Sequence, residues 1–159
     1  MKFTEAKALN GVARFHTTFG LPVLVEPVVP SKERCKLRIS LLEEELRELK
    51  EALDDDDIVE VADACADLQY VLSGAIHEFG LGHLFHDLFE EVQRSNMSKT
   101  CATIGEAEAT QKYYADVKDT ESYIEESNGE FLVYRKEDGK VLKSVNYSPA
   151  DLKGVIFGR

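Results

Sequence analysis

Apolar positions recur at helical spacing over most of the chain, and β-type patterning appears only near the C-terminus. Residues 3–19 predict a first amphipathic helix, with Leu9, Val12, Phe15, His16 and Phe19 roughly on one side and Gly20 as its stop. In GLPVLVEPVVP, residues 20–30, Pro22, Pro27 and Pro30 exclude a long helix and a central strand. An extended connection is expected there, with Val23, Leu24, Val25, Val28 and Val29 available to pack. Ser31 is the natural N-cap of a second helix running to about Leu53. Leu42, Leu46, Leu49 and Leu53 form its continuous apolar stripe. Asp54–Asp57 make an acidic turn, and Asp57 suits the N-cap of a third helix from about Ile58 to Phe79. Gly80 and Gly82 end it. Residues 83–97 predict a fourth helix. Thr103 and Glu106 have capping-box spacing and open a fifth, through about Asp116. Residues 117–130 read as a polar connection. Residues 131–143, FLVYRKEDGKVLK, carry two β-prone runs around Asp138-Gly139 and predict a hairpin. Pro149 opens a short helical turn near the end. The expected fold is therefore all-α: an up-and-down bundle of about five helices with a small C-terminal β-hairpin.

The chain has 159 residues, 43% of them hydrophobic and 31% charged, which suits a single globular domain over 1–159. Its formal net charge of −11 argues against a nucleic-acid partner, because phosphate backbones are held by clustered Lys and Arg. Three cysteines, an odd number without a Cys-x-x-Cys pair, indicate neither a disulfide framework nor a zinc site. Cys65 falls on an apolar helical face and is expected to be a buried thiol. The first residues lack the apolar run of a signal peptide, and no segment has the length of a membrane span. A cytoplasmic protein with no membrane partner is expected.

The chemistry concentrates in the second and third helices. Glu44, Glu45 and Glu48 lie on one, and Glu60, Asp63 and Asp67 on the other. Residues three and four apart on a helix are neighbours. Glu45 and Glu48 can thus take one side of an ion, and Asp63 and Asp67 the other. On its own, LLEEELRELKEAL is an ordinary solvated helix face. The third helix changes the picture. Val59, Ala62 and Ala66 extend its apolar surface nearly all round, so an acidic stripe there is costly to bury without a counter-charge. Oxygen ligands without sulfur or matching histidines select hard cations, Mg²⁺ first and Mn²⁺ as a substitute. Such ions act on phosphates, which makes a nucleotide the expected substrate. The four aspartates of the turn read as a solvated cap. Arg38 lies almost on the apolar side of its helix and needs a partner, either an acid or a phosphate. His16 is expected in a core or interface, and His77, His83 and His86 as structural or surface residues. No Glu-x-x-His pair, zinc-protease motif or phosphate-binding glycine loop is present.

The chain resembles the all-α nucleoside triphosphate pyrophosphohydrolases, and more narrowly the phosphoribosyl-ATP pyrophosphohydrolase-like and MazG-like members, near the MazG-like dUTPases. The matching strings are FHTTFGLP (15–22), RISLLEEELRELKEAL (38–53), EVADACADLQYVLSGA (60–75), EEVQRSNMSK (90–99) and DGKVLKSVNYSPADLK (138–153). The family pattern is Glu-x-x-Glu on one helix and Glu-x-x-Asp on the next, holding Mg²⁺. The first half falls on Glu45 and Glu48, with Glu44 just before. The second half fits two registers, Glu60 with Asp63 or Asp63 with Asp67, and Asp63 belongs to both. The resemblance implies a Mg²⁺-dependent cleavage of a (deoxy)nucleoside triphosphate to monophosphate and pyrophosphate, in nucleotide-pool housekeeping. Glu44 and Glu45 are then the catalytic candidates, with Glu44 as a further ligand or as the general base that orients water. Asn96 and Lys99, with Lys140 and Lys143, would contact the substrate. Tyr70 lines a base pocket or belongs to the core. A homodimer or higher homo-oligomer is implied. Residues 101–130 are longer than the link in compact relatives and stand as an insertion. Two other classes fit the same pattern: a nucleotide- or metal-binding regulator without turnover, and a purely structural helical interaction protein.

Overall fold

The computed structural model describes residues 2–158. Among them are six helices and a two-stranded antiparallel sheet, so the all-α architecture with a small C-terminal hairpin holds. The chain divides into two compact units, Met1–Phe85 and His86–Arg159.

The first unit contains α1 (Ala8–Thr18), α2 (Lys32–Asp54) and α3 (Ile58–Glu78). α3 packs against both α2 and α1. α1 starts later than residue 3, because Lys7 offers no side-chain cap and nothing covers Phe3. Val12 and His16 are its buried residues. The Ser31 hydroxyl accepts from the Arg34 amide at 3.3 Å, and Asp57 Oδ1 accepts from Val59 and Glu60 at 2.9 and 3.2 Å, so both expected N-caps are in place.

Two expectations about packing are corrected. Leu46 and Leu53 are 58% and 61% exposed, and Ile58 and Val59 are 75% and 70% exposed. Only part of the α2 stripe and one side of α3 are covered within this chain: Leu42, Leu49, Val61 and Leu68 are half-buried and Ala52 and Ala64 buried, while Leu46, Leu53, Ile58 and Val59 are open. Cys65 is exposed for the same reason. Burial on α3 concentrates at its C-terminal end, where Ser73 to Glu78 are continuously buried. The segment at residues 21–30 lies along that end by backbone bonds. The amides of Leu24 and Val28 donate to the carbonyls of His77 and Phe79 at 2.9 and 3.0 Å. Its valines do not join the core; Val23, Val25, Val28 and Val29 are exposed.

The second unit contains α4 (Phe85–Met97), which starts at the boundary, then α5 (Ile104–Lys118), β1 (Ser122–Ser127), β2 (Glu130–Arg135) and α6 (Leu152–Phe157). Cys101, Ala107, Val133 and Leu142 form its core, with Tyr114, Ile124 and Phe131 packed on it. The Thr103 hydroxyl caps α5 by accepting from the Glu106 amide at 3.2 Å, and the Glu106 carboxylate accepts from Ala102 at 2.9 Å.

The hairpin differs from the one expected at 131–143. β2 takes its ladder from β1, in residues read as a polar connection, and Ser127 and Glu130 pair across a two-residue turn. Asn128 and Gly129 have φ of +55° and +82°, the left-handed conformations that a tight hairpin loop of this kind requires. Asp138-Gly139 does turn the chain, but its return adds only a single bridge, Tyr134 to Val141.

Candidate functional site

The three-residue turn after α2 brings α3 back along it, so acids from both helices share one electrostatic environment. Partial burial, then the negative charges of Glu48, Asp67, Glu44 and Asp63, push the Glu45 carboxyl above its usual range. That coupling joins the α2 group to Asp63 and Asp67 on α3. Glu60 belongs to a neighbouring depression of about 340 Å³ lined also by Glu48, Glu51, Asp55 and Asp57. Of the six candidate ligands, Glu45 is half-buried and Glu44, Glu48, Glu60, Asp63 and Asp67 are exposed. The argument that the α3 stripe is buried therefore does not operate within one chain.

Among the described residues, no three His, Cys, Asp or Glu side chains are gathered closely enough to hold an ion. The donor set itself is all carboxylate oxygen, which suits a hard divalent cation.

Arg38 finds an acid, not a phosphate. It donates to Glu78 Oε1, as does Arg34, whose Nε also donates to Glu78 Oε2 at 2.9 Å. Burial pushes the Glu78 carboxyl up, but the hydrogen bonds and charges of Arg34 and Arg38 outweigh it and leave it below its usual range. His16 and His77 are both buried and structural: His16 Nδ1 bonds the Pro22 carbonyl and His77 Nε2 the Leu9 carbonyl, each at 2.8 Å. Gly74 is needed beside them, because a Cβ there would stand 2.7 Å from Arg38 Nη1 and 3.0 Å from His16 Nε2. Tyr70 packs edge-on to Phe15, with 5.5 Å between ring centroids.

In the second unit, Lys99 Nζ donates to Asn96 Oδ1 at 2.8 Å at the end of α4. Lys143 Nζ sits 4.2 Å above the Tyr147 ring. The Ser95 hydroxyl, 3.0 Å from the Tyr147 oxygen, and then the charges of Lys143 and Lys99, draw the Tyr147 phenol below its usual range. Lys99 and Lys143 thus act on one tyrosine, and Asn96 is tied to Lys99. Lys140 belongs instead to the Asp138 turn, where its amide donates to Asp138 Oδ1 at 3.1 Å.

Residues 12–96 match the model of the phosphoribosyl-ATP pyrophosphohydrolase family. The chain belongs to that family. The matched segment runs from α1 into α4 and contains all six carboxylates and Asn96, while Lys99, Lys140 and Lys143 lie beyond it. The chain is also similar to an uncharacterized protein of Acanthamoeba polyphaga mimivirus, 24% identical over a gapped alignment 235 positions long that covers 89% of this chain and 94% of that one. Membership in the phosphoribosyl-ATP pyrophosphohydrolase family supports a hydrolase activity on phosphorus anhydrides, with a divalent metal in general use across the family and a nucleotide as plausible substrate. No helix among the described residues is long and apolar enough to cross a membrane.

Sequence reasoning missed Glu78. Its signal was present: Arg34 and Arg38, four residues apart on α2, face an acid at the most apolar end of α3.

Proposed function

We propose that the protein is a Mg²⁺-dependent nucleoside triphosphate pyrophosphohydrolase, releasing a (deoxy)nucleoside monophosphate and pyrophosphate. The observation that carries this reading is the electrostatic coupling of Glu45 to Glu44, Glu48, Asp63 and Asp67 across α2 and α3, inside the segment that matches the family. Glu45, Glu48, Asp63 and Asp67 hold the metal, and Glu60 joins them if the alternative register applies. When bound, Mg²⁺, or Mn²⁺ in its place, neutralises phosphate charge and makes water more acidic. Glu44, beside the ligands, orients the attacking water and takes its proton as general base, and Glu45, whose carboxyl is raised above its usual range, supports it. Attack in line on the α-phosphorus breaks its bond to the bridging oxygen, and pyrophosphate leaves. Asn96, Lys99 and Lys143 contact the substrate, and Lys140 contributes from its turn.

Residues 1–159 are taken as a single functional domain in this reading. The setting is cytoplasmic nucleotide-pool housekeeping, with no nucleic-acid partner. The active form is at least a homodimer. The exposed apolar faces of α2 and α3 support that assembly, because such patches on a stable protein mark association surfaces.

The test is incubation with a panel of nucleoside triphosphates and Mg²⁺, assayed for pyrophosphate. Release by the wild-type protein is expected. Asp63→Asn should lower it more than about 100-fold, beyond the cost of an outer-shell change, with the helical content unchanged. Saturable nucleotide binding without pyrophosphate would make the protein a regulator, and a fully active Asp63→Asn protein would remove Asp63 from the site.

A further inference from the structure

The second unit contains a cavity of about 410 Å³, within the size range of small-ligand sites. α5 supplies Tyr113 and Tyr114, and the segment after β2 supplies Lys143, Ser144, Val145 and Tyr147. Its walls are fixed by bonds that do not involve a ligand. The Lys143 amide donates to the Tyr114 hydroxyl at 3.3 Å, the Val145 amide to Thr110 Oγ1 at 3.0 Å, and the Ser144 hydroxyl to the Glu106 carboxylate. The Tyr147 hydroxyl is paired with Ser95 Oγ. Preorganised walls of this kind reduce the ordering cost of binding.

Its chemistry is unusual in a chain of net charge −11. Three aromatic rings and Lys143 border the space, and the charges of Lys143 and Lys99 act on the Tyr147 phenol. Tyr113 is partly open to solvent, at 43% exposure, and so offers ring surface to a ligand. Aromatic surface accepts any flat base by stacking, and a lysine ammonium is a point partner for phosphate. Lys143 rests over the Tyr147 ring, a cation–π position from which an anion can draw it.

We propose that this Tyr113–Tyr114–Tyr147 cavity receives the base of a nucleotide, with the adjoining phosphate on Lys143 and Lys99. The inference deepens the reading of Lys99 and Lys143 as substrate contacts and rests on it. It gives a role to α5, which lies beyond the residues 12–96 that match the family. The same chemistry suits the substrate itself or a second, regulatory nucleotide.

Equilibrium dialysis of the full chain with a panel of nucleoside monophosphates, without divalent metal, separates this cavity from the carboxylates. The wild-type protein should bind at least one of them saturably. Tyr113→Ala should weaken that binding about tenfold, the loss of one base–aromatic stack. Tyr113→Leu, which keeps apolar bulk on α5, should weaken it as well, and Lys143→Gln by roughly tenfold through loss of the phosphate partner. If these variants also raise KM for the triphosphate with Mg²⁺ present, the occupant is the substrate. If KM stays constant while monophosphate binding falls, it is a separate nucleotide. No metal-free binding by the wild-type protein, or equal binding by all variants, would overturn the proposal. Asp63→Asn should keep monophosphate binding while losing turnover. Binding without any wild-type turnover would leave the cavity standing and remove the pyrophosphohydrolase reading, and turnover without cavity binding would do the reverse.

Discussion

Glu78 holds two arginines of α2 on one buried carboxylate, 1% exposed, at the end of α3. Removing one partner of a buried ion pair leaves uncompensated charge, at a cost of about 3–5 kcal/mol. Glu78→Gln should therefore lower the unfolding free energy of the first unit by that order, read from its urea midpoint, and an unchanged midpoint would contradict this. The pH dependence follows from the lowered carboxyl. Its stabilising contribution is complete above its unfolded value near 4.5 and is lost as pH falls through the lower folded value. The wild-type protein should lose stability below that value, and Glu78→Gln should lose less over the same interval. Glu45 behaves in the opposite sense. Its raised carboxyl makes the ionised cluster unfavourable, so its effect on stability worsens as pH rises from its unfolded value through its folded one.

At the scale of elements, the helix starts were legible because each cap is a local signal. Ser31, Asp57 and Thr103 all accept the amides expected of them. The hairpin was misplaced because two turn dipeptides, Asn128-Gly129 and Asp138-Gly139, flank the β2 run, and β1, SYIEES, has only two apolar positions. Of β1 only Ile124 packs on the core, so the strand carries almost no alternation to read. Periodicity also identified the apolar faces of α2 and α3 but not whether this chain covers them. The Arg34 and Arg38 bonds to Glu78 span 44 and 40 positions, beyond the reach of any local pattern. The acids of the candidate site were legible, since helical spacing alone sets them on α2 and α3. The segment 21–30 gives an element-scale prediction. Gly80, at φ +67°, would place a Cβ 1.9 Å from the Glu26 carbonyl oxygen. That backbone atom cannot yield as a flexible side chain would. Gly80→Ala should destabilise the first unit by about 2–4 kcal/mol, through left-handed strain and overpacking, as read from its denaturant midpoint.

For the whole molecule, the exposed apolar residues of α2 and α3 predict association of chains. Ile39, Leu46, Leu53, Ile58 and Val59 are all exposed. Sedimentation equilibrium should give a mass of at least twice 17.9 kDa, and Leu46→Asp should shift the population toward single chains. A wild-type protein that stays a single chain at high concentration would contradict this. Assembly bears on the chemistry as well, because covering the α3 face would desolvate Asp63 and Asp67 and strengthen their demand for a cation. The central claim is that these carboxylates direct hydrolysis to the α-phosphorus. Phosphorus NMR of a triphosphate incubated with the protein and Mg²⁺ reads that outcome directly. Equal amounts of nucleoside monophosphate and pyrophosphate, formed only with the divalent ion and lost in Asp63→Asn, are predicted. Orthophosphate with nucleoside diphosphate, or the same products without any divalent ion, would contradict it.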